Sequence, residues 1–146
     1  MRMDAEPLER VQPVDWPRPR GYANALKVPA GRDLLFMAGQ IGWDSAGKLV
    51  GSDLVSQFGQ ALRNCVTLVE AAGGQAGDIV RLTMFCTDKQ AYLENTGAIG
   101  TVYRDVMSDH YPAMSLVEVS ALIENGARIE IEATAAWGVR EVSITI

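Results

Sequence analysis

Apolar residues between positions 54 and 72 recur every three or four residues along the chain. The apolar positions are Leu54, Phe58, Ala61, Leu62, Cys65, Leu68, Val69 and Ala72. This spacing brings them to one face of an α-helix and leaves polar residues on the other face. Ser52 or Asp53 can cap the first turn, and Gly73-Gly74 is typical of a helix end. The pattern predicts an amphipathic helix of about five turns that packs on a core.

Other segments are rich in apolar and β-branched residues and are bounded by glycine, proline or aspartate, which predicts β-strands. Asp88 is a candidate N-cap for a second helix, which runs to about residue 107. The turn at 29–33 predicts that the two strands around it pair antiparallel. The predicted strands cover residues 22–28, 34–41, 48–50, 79–86, 112–119 and 128–133.

The order of these elements predicts an α+β fold with a mixed six-stranded sheet and two helices packed on one face. A sheet with one bare face exposes more apolar area than a monomer tolerates, so we expect self-association. Residues 1–20, with four prolines, predict an irregular N-terminal arm. Residues 21–138 form a single predicted domain, and 139–146 a C-terminal tail that adds an edge strand or covers a neighbour.

Charge and composition narrow the classes of partner. The 146 residues carry a formal charge of -5, which argues against nucleic-acid binding because lysine and arginine drive phosphate contacts. Neither a secretory leader nor an apolar run of about 18 residues is present, so we expect a cytoplasmic protein that does not enter the membrane. Cys65 and Cys86 lack metal-ligand spacing and are interpreted as buried thiols. We expect no metal and no cofactor.

Two acidic residues in the last predicted strand are candidates for chemistry. Glu130 and Glu132 share one side of the strand, because residues two apart lie on the same face. The simpler interpretation is a solvated polar face. The functional interpretation is a general acid/base held in a cleft between subunits.

Four other positions are candidates for a site, each with a structural alternative. His110, the only histidine, is interpreted as a loop residue rather than a catalytic one. Gly39, at a strand end, is either a bulge or a position where the backbone approaches a ligand. Tyr22 and Trp43 are candidates for an aromatic wall of a pocket.

Several of these segments together resemble the RidA (YjgF-type) family of imine and enamine deaminases. The similar segments are Met-Ala-Gly-Gln-Ile at 37–41, Glu-Ala-Ala-Gly-Gly at 70–74, Met-Phe-Cys-Thr-Asp at 84–88, Pro-Ala-Met-Ser-Leu-Val-Glu-Val at 112–119 and Ile-Glu-Ile-Glu-Ala at 129–133. The resemblance covers almost all of residues 22–137. It implies a chorismate-mutase-like fold assembled as a homotrimer, with the sites in the clefts between subunits.

The resemblance also implies an activity and the residues that carry it. Family members hydrolyse reactive 2-imino or enamine acids to 2-keto acids and ammonia, without a cofactor. Carried over, Glu130 positions or activates water, Tyr22 lines the pocket, and the backbone at Gly39 contacts the substrate. Met114 and Ser115 lie where the family's signature binds the substrate.

Three positions depart from the family pattern. Met114 stands where family members usually have the arginine that pairs with the substrate carboxylate, Leu116 where many have cysteine, and Gly100 where an asparagine is common in the second helix. A thioether cannot replace a bidentate guanidinium contact. We therefore expect a deaminase of a small-molecule metabolite with altered substrate preference. The alternative is a non-catalytic trimer of the same fold that binds a small molecule or acts as a chaperone.

Overall fold

The computed structural model describes residues 7–138 of the chain. Within these residues the elements are β1 (Glu9–Val11), β2 (Ala25–Lys27), β3 (Asp33–Gln40), α1 (Leu54–Ala71), a short 3-10 helix (Ala76–Asp78), β4 (Ile79–Cys86), α2 (Lys89–Glu94), α3 (Thr96–Met107), β5 (Ala113–Glu118) and β6 (Ile129–Trp137).

The main sheet has four strands in the order β3-β6-β4-β5. Strand β6 runs antiparallel to both of its neighbours, whereas β5 runs parallel to β4. The parallel pair is joined by a crossover through α2 and α3, as parallel pairing requires. The mixed sheet and the α+β class are therefore confirmed.

The strands do not form the predicted single six-stranded sheet but divide into a four-stranded and a two-stranded sheet. Strand β2 pairs with β1 in a separate two-stranded sheet, and β3 pairs with β6. The predicted pairing of the strands on either side of the turn at 29–33 is therefore wrong. The two sheets are linked by one isolated bridge, between Ala23 and Ala113. The segment 48–50 forms no strand, and only Leu49 bridges to Trp43.

Part of the predicted irregular arm is ordered, because β1 lies inside residues 1–20. The tail 139–146, predicted to add an edge strand or to cover a neighbour, lies outside the described residues. In the described part of the chain, no helix combines the length and apolar character needed to cross a bilayer.

The core lies between one face of the main sheet and the helices. Alternate residues of β4 and β6 point into it, including Leu82, Met84, Ile129 and Ile131, all of which are buried. The residues between them point to the opposite face, where no element of the described chain covers the sheet. We call this second surface the open face; it carries Phe36, Arg81, Thr83, Phe85, Val117, Glu130 and Glu132.

Helix α1 is the predicted amphipathic helix. The Asp53 carboxylate accepts a hydrogen bond from the backbone N–H of Ser56 at 2.9 Å and caps its first turn. Gly73, with a φ of +98°, follows its last residues in the left-handed region that favours glycine. Its buried side chains include Phe58 and Leu62, as the periodicity predicted.

The fully buried Gln57 side chain holds α1 to the start of β6. Its amide nitrogen donates to the carbonyls of Gly51 at 2.8 Å and Gly126 at 2.9 Å. Its amide oxygen accepts from the backbone N–H of Arg128 at 2.7 Å. A buried amide is tolerated because these hydrogen bonds satisfy it. They fix the main chain two residues before Glu130.

The second predicted helix is interrupted. Asp88 caps it as expected, through a 3.0 Å hydrogen bond from the backbone N–H of Ala91. The helix stops at Asn95, whose φ of -121° is not helical. The Asn95 side chain donates to the carbonyl of Ala91 at 2.7 Å, and this local bond competes with continued helix. Helix α3 then starts at Thr96.

Candidate functional site

Gly39 and Glu130 meet on the open face, where β3 and β6 pair. A Cβ atom placed on Gly39 would lie 2.7 Å from Cδ of Glu130 and 2.8 Å from Oε2. No real side chain tolerates such distances, so only glycine leaves room for this carboxylate. Glu130 is half-buried, and no described residue hydrogen-bonds to it. Its oxygens are available to a ligand.

The strand β3 is irregular at this point. Met37 pairs with Ala133, but Gln40 pairs with Ile131, so β3 contains one extra residue between them. This is a β-bulge, which takes part of the backbone out of the regular ladder. The interpretation of Gly39 as part of a bulge is therefore confirmed, while its contact with a ligand stays a prediction; within the chain it is Glu130 that approaches Gly39.

Met114 lies on the other side of the sheet from Glu130. It is half-buried in β5, packs against the core, and lines a cavity of about 260 Å³ between the sheet and α3. We call this the β5–α3 cavity. Most of its wall is apolar or aromatic: Phe58, Met84, Tyr92, Ile99, Tyr103, Tyr111 and Met114.

Two stacked tyrosines form one wall of the cavity: Tyr103 lies in α3, and Tyr111 lies just after it. The rings of Tyr103 and Tyr111 stack with centroids 5.0 Å apart. The Tyr103 hydroxyl donates to the carbonyl of His110 at 2.7 Å, which holds that ring in place. Burial raises the pKa of Tyr103 far above the usual range of a phenol, and burial also raises the pKa of Tyr92. Both are neutral phenols at physiological pH.

Tyr22 lies beside this cavity, whereas Ser115 lies on the other side of the sheet. Tyr22 is 38% exposed, and the next residue, Ala23, donates its backbone N–H to the carbonyl of Pro112 at 3.0 Å, at the start of β5. Gly21, on the other side of Tyr22, lines the β5–α3 cavity. Ser115 is exposed on the open face, in register with Thr83.

The predicted site residues thus fall into two groups in one chain. Gly39 and Glu130 meet on the open face, and Ser115 lies on that face two strands away. Met114 lines the β5–α3 cavity on the helix side, and so does Gly21, the residue before Tyr22. The structure brings Glu130 to Gly39 but does not bring it to Met114.

The open face has a hollow of its own, of about 230 Å³. Phe36, Arg81, Thr83, Glu132 and Thr134 line it. Arg81 and Thr83 flank the buried Leu82 in β4, so alternation places both on the open face. Neither residue was identified from the sequence as a candidate for the site.

His110 has a structural role. Its Nε2 atom lies 2.6 Å from the carbonyl oxygen of Ile79, so the ring is bound to main chain. It lines neither the β5–α3 cavity nor the hollow of the open face. The interpretation as a loop histidine agrees with this position.

The sequence pattern did not reveal one cation that lines the same cavity as Met114. Arg104 lines the β5–α3 cavity, and its Nη1 atom lies 3.4 Å from where a Cβ of Gly100 would be. The sequence signal is a glycine four residues before an arginine on one helix face. Arg128 is engaged elsewhere, because its guanidinium bonds to the Asp88 carboxylate at 3.4 Å.

The thiols and the metal-binding potential add no further chemistry to the site. Burial raises the pKa of the Cys65 thiol to about 12 and also raises that of Cys86. Among residues 7–138, no three histidine, cysteine, aspartate or glutamate side chains group as metal ligands.

Comparison with known protein families gives one family model that matches most of the chain. The model is described as endoribonuclease L-PSP and matches residues 18–137. A mouse protein named 2-iminobutanoate/2-iminopropanoate deaminase is 31% identical over 118 residues, covering 80% of this chain and 82% of its own. A RutC family protein of Sinorhizobium fredii is 37% identical over 128 residues, covering 86% and 95%.

Solved structures give the same result. A Rid family protein of unknown function from Yersinia pestis superposes with a TM-score of 0.77 at 32% identity, covering 88% of this chain and 97% of its own. The YjgF gene product of E. coli gives a TM-score of 0.60 at 35% identity, covering 78% and 86%.

Proposed function

Because this chain belongs to the RidA (YjgF-type) family, whose model is described as endoribonuclease L-PSP, we propose that it hydrolyses a reactive imine or enamine metabolite. The relatives named 2-iminobutanoate/2-iminopropanoate deaminase support an imine-deaminase type of function. In this proposal the reaction needs no cofactor. Glu130 is the catalytic group, and Tyr22, Gly39, Met114 and Ser115 contact the substrate.

The observation that carries the proposal is the contact between Gly39 and Glu130. A half-buried carboxylate without a described partner lies against a backbone that a β-bulge has released from regular pairing. The backbone can hydrogen-bond a substrate while the carboxylate holds a water beside it. Such positioning converts a reaction between separate molecules into one within a complex.

The chemistry requires only water and one group that accepts a proton. Glu130 accepts a hydrogen bond from water and directs the water oxygen to the imine carbon. The new C–O bond forms as the C=N π electrons move to nitrogen, and Glu130 takes the proton that the water loses. Glu130 then returns this proton to nitrogen, which gives a carbinolamine. Glu130 next takes the hydroxyl proton and passes it to the amino nitrogen as the C=O bond forms and the C–N bond breaks, so a ketone and ammonia leave. Atoms and charge balance without an oxidant or a reductant.

The proposal includes a homotrimer with the site between subunits. The open face exposes large apolar side chains, with Leu34 58% and Phe36 75% exposed. Contact with other copies would cover this surface. Because Glu130 and the β5–α3 cavity lie on opposite sides of the sheet in one chain, the proposed site takes Glu130 and Gly39 from one copy and the cavity from its neighbour. We place this trimer in the cytoplasm, where free thiols such as Cys65 and Cys86 persist.

RNA cleavage, which the printed description of the family suggests, is the less favoured activity. With 13 basic against 18 acidic residues, the chain lacks the positive surface that phosphate binding requires. The β5–α3 cavity is lined mainly by apolar groups, which suit a small metabolite. We propose that Met114 changes the preference among imine substrates.

The test is hydrolysis of freshly generated 2-iminobutanoate and 2-iminopropanoate, measured as keto-acid and ammonia release. We expect a rate above the uncatalysed one for the native chain. Glu130→Gln keeps the shape and removes the base, and we expect a loss of about a hundredfold or more. Glu132→Gln is the matched control, because it changes the same strand and face two residues away; its rate should stay within about twofold of native.

Equal rates for Glu130→Gln and the native chain would contradict the role of Glu130. Absence of hydrolysis in the native chain, together with a gain in Met114→Arg, would show a scaffold tuned to a different imine. Absence in both would favour the non-catalytic trimer that binds a small molecule.

A further inference from the structure

We propose that Arg104 binds the carboxylate of the substrate at the β5–α3 cavity, and that the cavity holds an apolar or aromatic body attached to it. The inference names the substrate class and takes the hydrolysis proposed above as its premise. It assigns to a helix residue the contact that Met114 cannot make.

The first argument is the charge of the cavity wall. Among the described residues that line the cavity, Arg104 is the only charged one. The rest of the wall is apolar or aromatic apart from the hydroxyl groups of tyrosine and Thr96. A single cation beside an apolar wall selects an anion with an apolar body, because each part then meets its complement.

The second argument is that Arg104 is not engaged by this chain. In the part of the chain that the structure describes, no hydrogen bond and no ion pair holds its guanidinium, whereas Arg128 is held by Asp88. The guanidinium is exposed at the edge of the cavity. Its fork of N–H donors matches a carboxylate, so a ligand would find the donors free.

The third argument is the room that Gly100 provides. The Arg104 Nη1 atom lies over Gly100, 3.4 Å from the position of an absent Cβ. A longer side chain at 100 would occupy the space between the guanidinium and the cavity. Glycine therefore lets Arg104 lie across one turn of α3 toward the cavity that Met114 lines.

The fourth argument concerns the body of the ligand. Tyr92 and the stacked pair of Tyr103 and Tyr111 offer aromatic surface, and Met84 and Met114 offer thioethers. Thioethers and aromatic edges are favourable contacts for an aromatic ring. The volume of about 260 Å³ admits one ring rather than a larger cofactor. The predicted substrate class is an imino acid with a phenyl-sized or branched apolar side chain.

The binding test uses phenylacetate, a stable carboxylate with a phenyl body, and its uncharged amide, phenylacetamide, in NMR titrations of the full chain. We expect Arg104→Gln to weaken phenylacetate binding about tenfold, an amount suited to an exposed charge-assisted contact. Phenylacetamide should bind the native chain and Arg104→Gln equally. Propionate, which lacks the ring, should bind the native chain more weakly than phenylacetate.

Arg63→Gln is the matched control. Arg63 also follows a helix glycine by four residues, and its Nη1 atom lies 3.0 Å from the position of an absent Cβ of Gly59. It does not line the β5–α3 cavity. We expect its phenylacetate affinity to equal that of the native chain.

Two readouts separate this inference from the proposed function. Phenylacetate binding that is lost in Arg104→Gln but kept in Glu130→Gln supports Arg104 as the residue that binds the carboxylate, whether or not an imine is hydrolysed. Equal phenylacetate affinity in Arg104→Gln and the native chain overturns this role of Arg104, even if the native chain hydrolyses 2-iminobutanoate. No measurable phenylacetate binding overturns it as well.

Discussion

At the scale of single residues, the candidate site depends on what is missing at position 39. The Glu130 side chain occupies the space that a side chain at position 39 would fill. Its atoms lie 2.7 to 2.8 Å from the position of a Cβ on Gly39. The glutamate is half-buried beside it. A larger residue at position 39 is therefore expected to displace the Glu130 side chain rather than the backbone.

Gly39→Ala tests this dependence. The added methyl forces Glu130 to move, and we expect imine hydrolysis to fall about a hundredfold, as misplacement of a reacting group does. The free energy of unfolding should fall by only about 1 kcal/mol, because the end of a half-buried side chain can yield. Rates and urea denaturation on the same sample give both numbers.

Gly97→Ala is its control, since no atom lies within 4 Å of the added Cβ and the residue is in α3. It should keep the native rate and a stability at least equal to native, because alanine favours a helix. A native rate in Gly39→Ala would remove the Gly39 contact from the proposed mechanism.

Alternation along β6 was enough to predict the side on which Glu130 lies. Its contact with Gly39 was not predictable in that way, because it depends on one extra residue in β3. Arg104 was missed for a different reason. A charged residue on a helix is expected on the solvated face, and only the path of its side chain over Gly100 brings it to the cavity.

At the scale of elements, helix α1 shows how a cap links stability to pH. The backbone N–H of Ser56, which donates to the Asp53 carboxylate, lowers the pKa of Asp53 below its ordinary 3.8. The folded state therefore favours the ionised carboxylate. This contribution is present above pH 3.8 and is lost as the pH falls through the lowered value in the folded chain.

Asp53→Ala should lower the free energy of unfolding at pH 7 by about 1 kcal/mol, as removal of a cap does. Asp53→Asn keeps an oxygen acceptor without a charge, so we expect a smaller loss at pH 7. The native chain should lose more stability than Asp53→Asn on acidification to about pH 3 or below. Urea unfolding over this range checks the sign; an equal loss in both would contradict it.

The helices were predictable because their signals are local. Periodicity and Asp53 fixed α1, and Asp88 fixed the start of α2. The pairing of strands was not, since β3 finds its partner in β6, nearly a hundred positions later along the chain. The break at Asn95 follows from one side-chain hydrogen bond that competes with the helix, and no periodicity reveals it.

At the scale of the whole molecule, the open face is the feature to be explained. The helices cover one side of the main sheet, and the other side exposes Leu34 and Phe36 beside the half-buried Glu130. An edge strand with exposed apolar side chains invites contact with another chain. The sequence predicted this surface from the number of helices alone, because two helices cover one face of a sheet.

Light scattering with size-exclusion chromatography tests the assembly. We expect a mass of three times the 15.8 kDa of one chain. Phe36→Glu places a charge where the side chain is 75% exposed on the open face, and it should yield monomers because a buried unpaired charge is costly. Ile123→Glu, at a fully exposed loop position, should remain trimeric. A monomeric native chain would contradict the prediction.

The separation of Glu130 from the β5–α3 cavity has a consequence for how such proteins diversify. The two groups lie on opposite faces of one sheet and share no described contact, so a change in one leaves the packing of the other intact. Mutational drift can therefore exchange the residues around Met114 and Arg104 while the pair of Gly39 and Glu130 is kept. Selection can therefore change which metabolite is recognised while the residues that position water stay the same.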